Sequence, residues 1–396
     1  MSGMSRPVVS GLEQLVENET ARIRGRRIGL LAHPASVDRN LVHALGLLRR
    51  SGADVAMLFG PEHGFSGEAQ DMETIVNSMS HPSGIPLKSL YGEREETLAP
   101  AVADLRGLDA LVVDLQDVGA RYYTFVWTAL LALRACKAAG IEMILTDRPN
   151  PLGGDVVEGA PQTEGFVSFV GLKPIAVRHG MTIGEIVSMA AFEENLSDHL
   201  TVIEMSGWRR GMRFEETGLP WVMPSPNMPT LDTALVYPGM CLVEGTHCSE
   251  GRGTTRPFEL VGLPGIDGQR LAASLNAFSL PGVRFRPVVF KPGFQKHAGH
   301  SVGGVQLHVS DANRFLPYRT GIAILLALKS EAGERFAWRD DAYEFVEGIP
   351  AIDLLTGGKA VRTMVDDGAS LDDIVDTFVE GENAFVTHRA QFLLHP

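Results

Sequence analysis

Glu62 and His63 stand side by side in FGPEHGFSGEAQ (residues 59–70), pinned between glycines and following directly on the apolar run Val55, Ala56, Met57, Leu58. In a glycine-lined, partly apolar niche burial favours the protonated form of a carboxyl, and a protonated carboxyl near neutral pH is what general-acid catalysis needs. The structural alternative is a helix N-cap or a buried hydrogen bond, since a glutamate is seldom set after a buried strand without a partner. A second stretch, VDLQDVGARYYTF (residues 113–125), gathers Asp114, Gln116, Asp117, Arg121, Tyr122 and Tyr123. Asp114 or Asp117 offers a second carboxylate, and Arg121 a bidentate clamp for an anionic substituent. Equally, Asp117 and Arg121 could tie a strand to its helix, and Tyr122 and Tyr123 could be core residues through their helical spacing to Val126 and Leu130.

Three further stretches carry candidates. TDRPNP (residues 146–151) holds Asp147 and Arg148, which could pair structurally, and Asn150, which could orient a polar ligand. RHGMT (residues 178–182) adds Arg178 and His179 beside a helix start; a lone histidine is more often structural. EGTHCSEGRGTTRPFE (residues 244–259) is the densest, with Glu244, His247, Ser249, Glu250, Arg252 and Arg256 among glycines and threonines. Its glycines let the backbone approach a ligand closely, whereas a merely solvated charged loop has little need of them. Several familiar signals are missing. The first strand is followed by HPASVDRN, without GxGxxG, and GxxxxGK[ST], HExxH and GxSxG do not occur. The histidines do not fall at metal-ligand spacings, so neither a metal nor a cofactor is expected.

The elements that must position these residues follow from hydrophobic pattern. Strands are expected at 28–32, 55–59, 110–113 and 142–145, with helices over 39–50 and 122–139, the latter stopped at Gly140. Continuous apolar strands alternating with helices imply a parallel sheet covered on both faces, a Rossmann-like layout. Each strand ends in polar residues: His33, then Glu62 and His63, then Asp114, Gln116 and Asp117, then Asp147 and Arg148. Ligands of open parallel sheets sit at those carboxyl ends, which explains why Glu62 follows a buried strand. Further on, Thr182 with Glu185 reads as a capped helix start running to Glu194, and residues 200–205 as another strand. Residues 149–171 are a proline- and glycine-rich loop or domain crossing, and WVMPSPNMPT (residues 221–230) is a rigid loop because three prolines fix φ. The second half reads as a smaller α+β unit, with helices at 267–278 and 318–332, strands at 283–290 and 304–309, and a tail at 371–378 capped by Ser370 and Asp373. The expected division is residues 1–240 and 241–396, with the boundary anywhere from Gly153 to Met240.

Bulk properties narrow the partners. With 396 residues the chain is long enough for two domains, and 44% hydrophobic and 21% charged residues are those of a globular protein. A net charge of −13 argues against nucleic acid or anionic membrane as partner, so an anionic substrate must be met by local arginine. The three cysteines, Cys136, Cys241 and Cys248, show no CxxC spacing and suggest neither a disulfide framework nor a zinc ribbon. No signal-like segment opens the chain and no apolar run approaches the roughly 20 residues of a membrane span, so a cytoplasmic protein is expected from the chain as given; an exported, trimmed precursor is also compatible. Oligomeric state is left open.

The motifs GPEHGFSGE, SLYG, DLQDVGARYYTF, DRPNPLGG, SFVG, RHGMTIGE, GLPWVMPSPNMPT, YPGMCLVEGT and SEGRGTTRPFE occur in one order from about residue 10 to 390. In this the chain resembles the exo-β-N-acetylmuramidase family of NamZ type. The resemblance implies a glycosidase that removes N-acetylmuramic acid from the non-reducing end of peptidoglycan fragments, with an active cleft between a Rossmann-like domain and a smaller α/β domain. It places the family's proposed catalytic glutamate on Glu62. Where relatives tend to read EGTNxSEGRGT, this chain has His247 and Cys248, which bears on fine specificity if that position touches the sugar. Glycoside hydrolysis needs a proton donor and a group supporting an oxocarbenium-like transition state. Glu62 is the expected acid, while Asp114, Asp117, Glu244 and Glu250 compete for the second role and substrate assistance by the 2-acetamido group is a third route. The substrate's lactyl carboxylate calls for arginine, from among Arg121, Arg148, Arg178, Arg252 and Arg256. Expected substrate contacts are His63, Arg121, Tyr122, Tyr123, Asp147, Arg148, Asn150, His179, Ser225, Asn227, Glu244 and Arg252.

Overall fold

The structure, a computed structural model, describes residues 7–67, 69, 70, 81–92 and 94–396. Residues 1–6 and Glu68 of the GPEHGFSGE motif lie outside the described residues. The apolar runs form strands β1 (Arg27–Ala32), β2 (Asp54–Gly60), β3 (Leu87–Ser89), β4 (Ala110–Asp114), β5 (Glu142–Thr146) and β6 (Leu200–Ile203). All pair in parallel, in the order β3-β2-β1-β4-β5-β6. Side chains alternate between the faces. Ile28, Leu30, Val112 and Ile144 pack on one side with Leu12 of α1 (Gly11–Glu17) and Leu45 and Leu48 of α2 (Ala44–Arg50). Leu31, Leu111, Val113 and Leu145 pack on the other, which holds α3 (Val102–Leu105), Trp127, Leu130 and Leu133 of α4 (Phe125–Ala139) and Ile186 of α5 (Ile183–Glu193). Each such side chain taken fully out of water contributes about 1.5–3 kcal/mol, so the fully apolar strands are explained by two covered faces.

The helix limits differ from the periodicity where local hydrogen bonding intervenes. α2 starts at Ala44 because the Asp38 carboxylate accepts from the N–H groups of Asn40 and Val42 and holds those residues in a turn; His43 then caps the helix through Leu45 N. α4 starts at Phe125, three residues later than expected, which leaves Tyr122, Tyr123 and Thr124 in a turn above the sheet. It stops at Gly140, as expected, in the left-handed conformation. Thr182 and Glu185 form the anticipated capping box of α5.

The second unit consists of α6 (Leu231–Met240), β7 (Leu260–Leu263), α7 (Gly268–Ala277), β8 (Val283–Phe290), β9 (Val302–Val309), α8 (Pro317–Ala332), α9 (Ala351–Thr356), α10 (Ala360–Asp366), α11 (Leu371–Asp376) and α12 (Val379–Arg389). Its strands form an antiparallel sheet in the order β7-β9-β8. The fold is thus a Rossmann-like parallel sheet with a smaller α+β unit. α6 escaped the sequence reading because Pro238 and Gly239 argue against helix. They are tolerated near its end, and Gly239 is required: a Cβ there would lie 1.8 Å from the carbonyl oxygen of Pro317 on α8. One hydrophobic core runs from β4 and α4 through α6 and α8 to α9, so the two units are not separated by solvent. Among the described residues no helix is long and apolar enough to cross a membrane.

Candidate active site

The strand order places β1 beside β4, and the chain departs from those two strands to opposite sides. That switch point opens a crevice at the carboxyl ends. His33, immediately after β1, pins it: its Nε2 accepts from Gln116 N at 3.0 Å and its Nδ1 lies 3.3 Å from the carbonyl of Pro224. Burial, followed by the charge of Arg148, pushes the imidazole well below its ordinary pKa. A neutral His33 therefore donates from Nδ1 to Pro224 and holds the loop of residues 221–230 over the sheet edge.

Glu62 arrives at this crevice from β2. The chain folds back on Gly60, where a Cβ would lie 2.3 Å from Phe65 N, and His63 takes a left-handed φ of 69°. His63 Nδ1 is 2.9 Å from the carbonyl of Ala69, and its ring stands edge-on to Phe125, as do those of His33 and Tyr123. Thr124 Oγ1 donates to Glu62 Oε2 at 2.6 Å. The carboxyl is thereby oriented in a site where Glu62 is 5% exposed.

The other wall comes from the second unit. After α6 the chain makes a tight turn, Cys241–Gly245, that carries Glu244. Arg252 Nη2 donates to Glu244 Oε1 at 2.6 Å and the Tyr343 hydroxyl to Oε2 at 2.9 Å. Burial works to raise the Glu244 carboxyl, but the Arg252 guanidinium, its hydrogen bond, Lys296 and Tyr343 outweigh it and hold the group below its ordinary range. Arg252 also lies over the Phe258 ring, 5.0 Å from its centre. Behind it, Glu250 accepts from Lys296 Nζ at 3.0 Å and sits 3.6 Å from Arg252 Nε. Glu250 therefore positions Arg252 from outside the cavity lining.

Between the two walls is a narrow cavity of about 30 Å³. Glu62, His63, Tyr122, Tyr123, Ser225, Asn227, Glu244 and Arg252, all among the residues singled out in the sequence, line it. Thr124, Val170, Met228, Tyr237, Phe258, Tyr343 and Glu344 complete the lining and were not anticipated. Burial pushes the phenols of Tyr122, Tyr123 and Tyr237 well up, so all three stay neutral donors. The Tyr122 hydroxyl is engaged by the carbonyl of Pro238, and Asn227 Nδ2 donates to Gln70 Oε1 at 2.9 Å. Carboxylates, phenols, amide and hydroxyl around one arginine suit a polar ligand with a negative charge.

The remaining candidates lie outside this lining, each engaged by protein. Asp114 is fully buried and receives Arg148 through Nε at 2.8 Å and Nη2 at 2.6 Å, and Thr146 Oγ1 at 2.5 Å. Asp117 accepts from Gly119 N at 2.7 Å and faces His179 Nε2 at 3.3 Å. Arg121 spends its guanidinium on the carbonyls of Ala160, Ile175 and Leu355, and burial pulls its pKa down to about 10. Asp147 binds Thr182, Gly184 and His395, while Asn150 joins Met181 O to Leu152 N. Arg178 pairs with Glu158 and Arg256 with Glu259. His247 is exposed and Cys248 buried, and neither lines the cavity, so the departure from EGTNxSEGRGT does not touch it. Among the described residues no group of histidine, cysteine, aspartate and glutamate is arranged to hold a metal ion.

Comparison with known proteins accounts for both units. Residues 28–232 match the model of the exo-beta-N-acetylmuramidase NamZ N-terminal domain, and residues 235–395 that of its C-terminal domain. The chain belongs to the NamZ family of exo-β-N-acetylmuramidases. A curated member of the NamZ family, the peptidoglycan beta-N-acetylmuramidase NamZ of Bacillus subtilis strain 168, is 39% identical over 389 residues, 98% of this chain and 91% of the relative. Two crystal structures of DUF1343 family proteins from Bacteroides fragilis NCTC 9343 share the NamZ-type fold seen here. One superimposes with a TM-score of 0.87 at 30% identity, the other with 0.77 at 28%, each covering 98% of this chain and 99% of the other.

Proposed function

We propose that this chain is an exo-acting β-N-acetylmuramidase that releases N-acetylmuramic acid from the non-reducing end of peptidoglycan fragments, with Glu62 as general acid. Family membership and the B. subtilis relative support the reaction class. The observation that carries the residue assignment is the meeting, in one cavity, of Glu62 from the parallel sheet with Glu244 and Arg252 from the second unit. In the reaction, the Glu62 proton passes to the bridging oxygen as the bond from that oxygen to C1 breaks, water supplies the hydroxyl that ends on C1, and the other proton of that water restores Glu62 to its acid form. Thr124 orients the acid. Glu244, held ionised beside Arg252, stabilises the positive charge that develops on the ring.

Arg252 is the guanidinium of the lining, and no lysine lines the cavity among the described residues. Of the five arginines considered, it is the one positioned to meet the lactyl carboxylate; the others serve carbonyls or carboxylates elsewhere. The test is incubation of the purified chain with a disaccharide ending in N-acetylmuramic acid and with one ending in N-acetylglucosamine, followed by chromatography of the released sugar. Release of N-acetylmuramic acid from the first alone is expected. Tight binding without release would make this a sugar-binding protein and remove Glu62 from any catalytic role.

A further inference from the structure

Tyr343 and Val346 exchange backbone hydrogen bonds, Tyr343 N to Val346 O and Val346 N to Tyr343 O, both at 3.0 Å. The two residues between them, Glu344 and Phe345, have φ of 46° and 68°. Two positive φ angles in a two-residue connection are the signature of a type I′ turn, whose favoured pair is Asn-Gly because larger side chains crowd the backbone in that region. Glutamate and phenylalanine are poor choices for it. Strain of this kind persists where the surroundings over-determine it, and it gathers at functional sites.

The surroundings do so here. Phe345 packs against Tyr91 and Phe169, with ring centres 5.7 and 6.4 Å away. The Tyr91 hydroxyl donates to Glu344 Oε2 at 3.2 Å, and the Tyr343 hydroxyl reaches Glu244. The outcome is that Glu344, 3% exposed, stands in the cavity wall with Glu62 and Glu244. Adding a carboxylate to a cavity that already holds others is unfavourable through like-charge repulsion and desolvation. Backbone preference and like-charge repulsion oppose this residue at this position, yet the Tyr91 hydroxyl holds its carboxylate in the same wall as Glu62 and Glu244.

We propose that Glu344 is a further substrate-contacting residue, whose carboxylate accepts hydrogen bonds from the hydroxyl or amide N–H donors of the saccharide ring. Phe345 and Tyr91 hold it there. The inference rests on the muramidase reading above. Hydrogen bonds from a ligand to a carboxylate are stronger than neutral ones, and losing one weakens binding by roughly ten- to a hundredfold.

Glu344→Asn, which puts a residue tolerant of positive φ into the turn and keeps the packing of Phe345, separates folding from function. The melting temperature is expected to hold or rise, while kcat/KM on the disaccharide ending in N-acetylmuramic acid and calorimetric affinity for free N-acetylmuramic acid each fall at least about tenfold. Glu344→Gln, which keeps the size and removes the charge, is expected to show the same losses with an unchanged melting temperature. Variants that match wild type in affinity and kcat/KM overturn the role of Glu344 and leave the muramidase reading intact. A wild-type protein that neither binds nor releases N-acetylmuramic acid removes both.

Discussion

Two groups of buried acidic residues sit at the carboxyl ends of the same parallel sheet and differ in what answers them. Asp114, Asp117 and Asp147, at the ends of β4 and β5, are met by Arg148, His179, Thr182 and His395, none of which lines the cavity. Glu62, after β2, is met by one hydroxyl from Thr124 and otherwise faces a cavity shared with Glu244, Arg252 and Glu344. The strand end delivers a carboxylate in every case. What separates structure from chemistry is whether the partner is protein or is left for a ligand, and that depends on chain that returns from far away: Tyr343 and Glu244 are 99 residues apart.

The contrast breaks most severely if the first group is disturbed. Asp114→Ala strands the buried Arg148 guanidinium and Thr146, and removing one partner of a buried pair costs about 3–5 kcal/mol. Urea denaturation is expected to show that loss, with kcat of the remaining folded protein within a few-fold of wild type. A stable but inactive Asp114→Ala would instead move Asp114 into the chemistry. Glu62→Gln is the mirror experiment. Loss of general-acid catalysis is expected to lower kcat at least about a hundredfold, near 3 kcal/mol of barrier, with an unchanged melting temperature. Equal rates would place the proton donor elsewhere in the lining.

Arg252→Lys sharpens the comparison within the cavity. Lysine keeps the charge opposite Glu244 but loses the planar fork that matches a carboxylate. Preference for N-acetylmuramic acid over N-acetylglucosamine in competitive binding is expected to fall about tenfold, with little change for the latter sugar. A variant that weakens both sugars equally would mean that Arg252 serves only to hold Glu244.

The first group was legible in the sequence as residue types and the second only in part. β1, β2, β4 and β5 could be read because strands buried on both faces are continuous apolar runs, and α5 because its capping box is local. Glu62 stood out because of its glycines. Arg121 misled: a guanidinium in a turn beside two carboxylates reads as an anion clamp, but the carbonyl of Leu355 that it binds is 234 residues away. Tyr343 and Glu344 had no motif to announce them, and Thr124 and Tyr237, though inside DLQDVGARYYTF and YPGMCLVEGT, were not singled out there. Tyr237 was hidden by a helix containing Pro238, and Glu344 by a turn whose residues contradict the turn's own preference.

The smallest expected effect tests whether the structural group behaves as a protein-satisfied cluster under titration. His395 Nε2 lies 2.7 Å from Asp147 Oδ2, with its ring edge-on to Trp208 at 5.4 Å, and Leu394 N is bound by Glu185 Oε1 at 2.8 Å. Burial works to lower the imidazole pKa, but the hydrogen bond and charge of Asp147, with Glu185 and Glu204, outweigh it and raise the group above its ordinary 6.5. A folded-state pKa above the unfolded one means that folding favours the protonated ring. The contribution is full below about pH 6.5 and disappears as pH climbs through the raised value. The melting temperature is therefore expected to decline across that upper window, and His395→Gln, which keeps a donor but does not titrate, is expected to flatten the decline without altering kcat. An identical slope in the variant would assign the pH dependence to another group and loosen the link between Asp147 and the carboxyl-terminal segment.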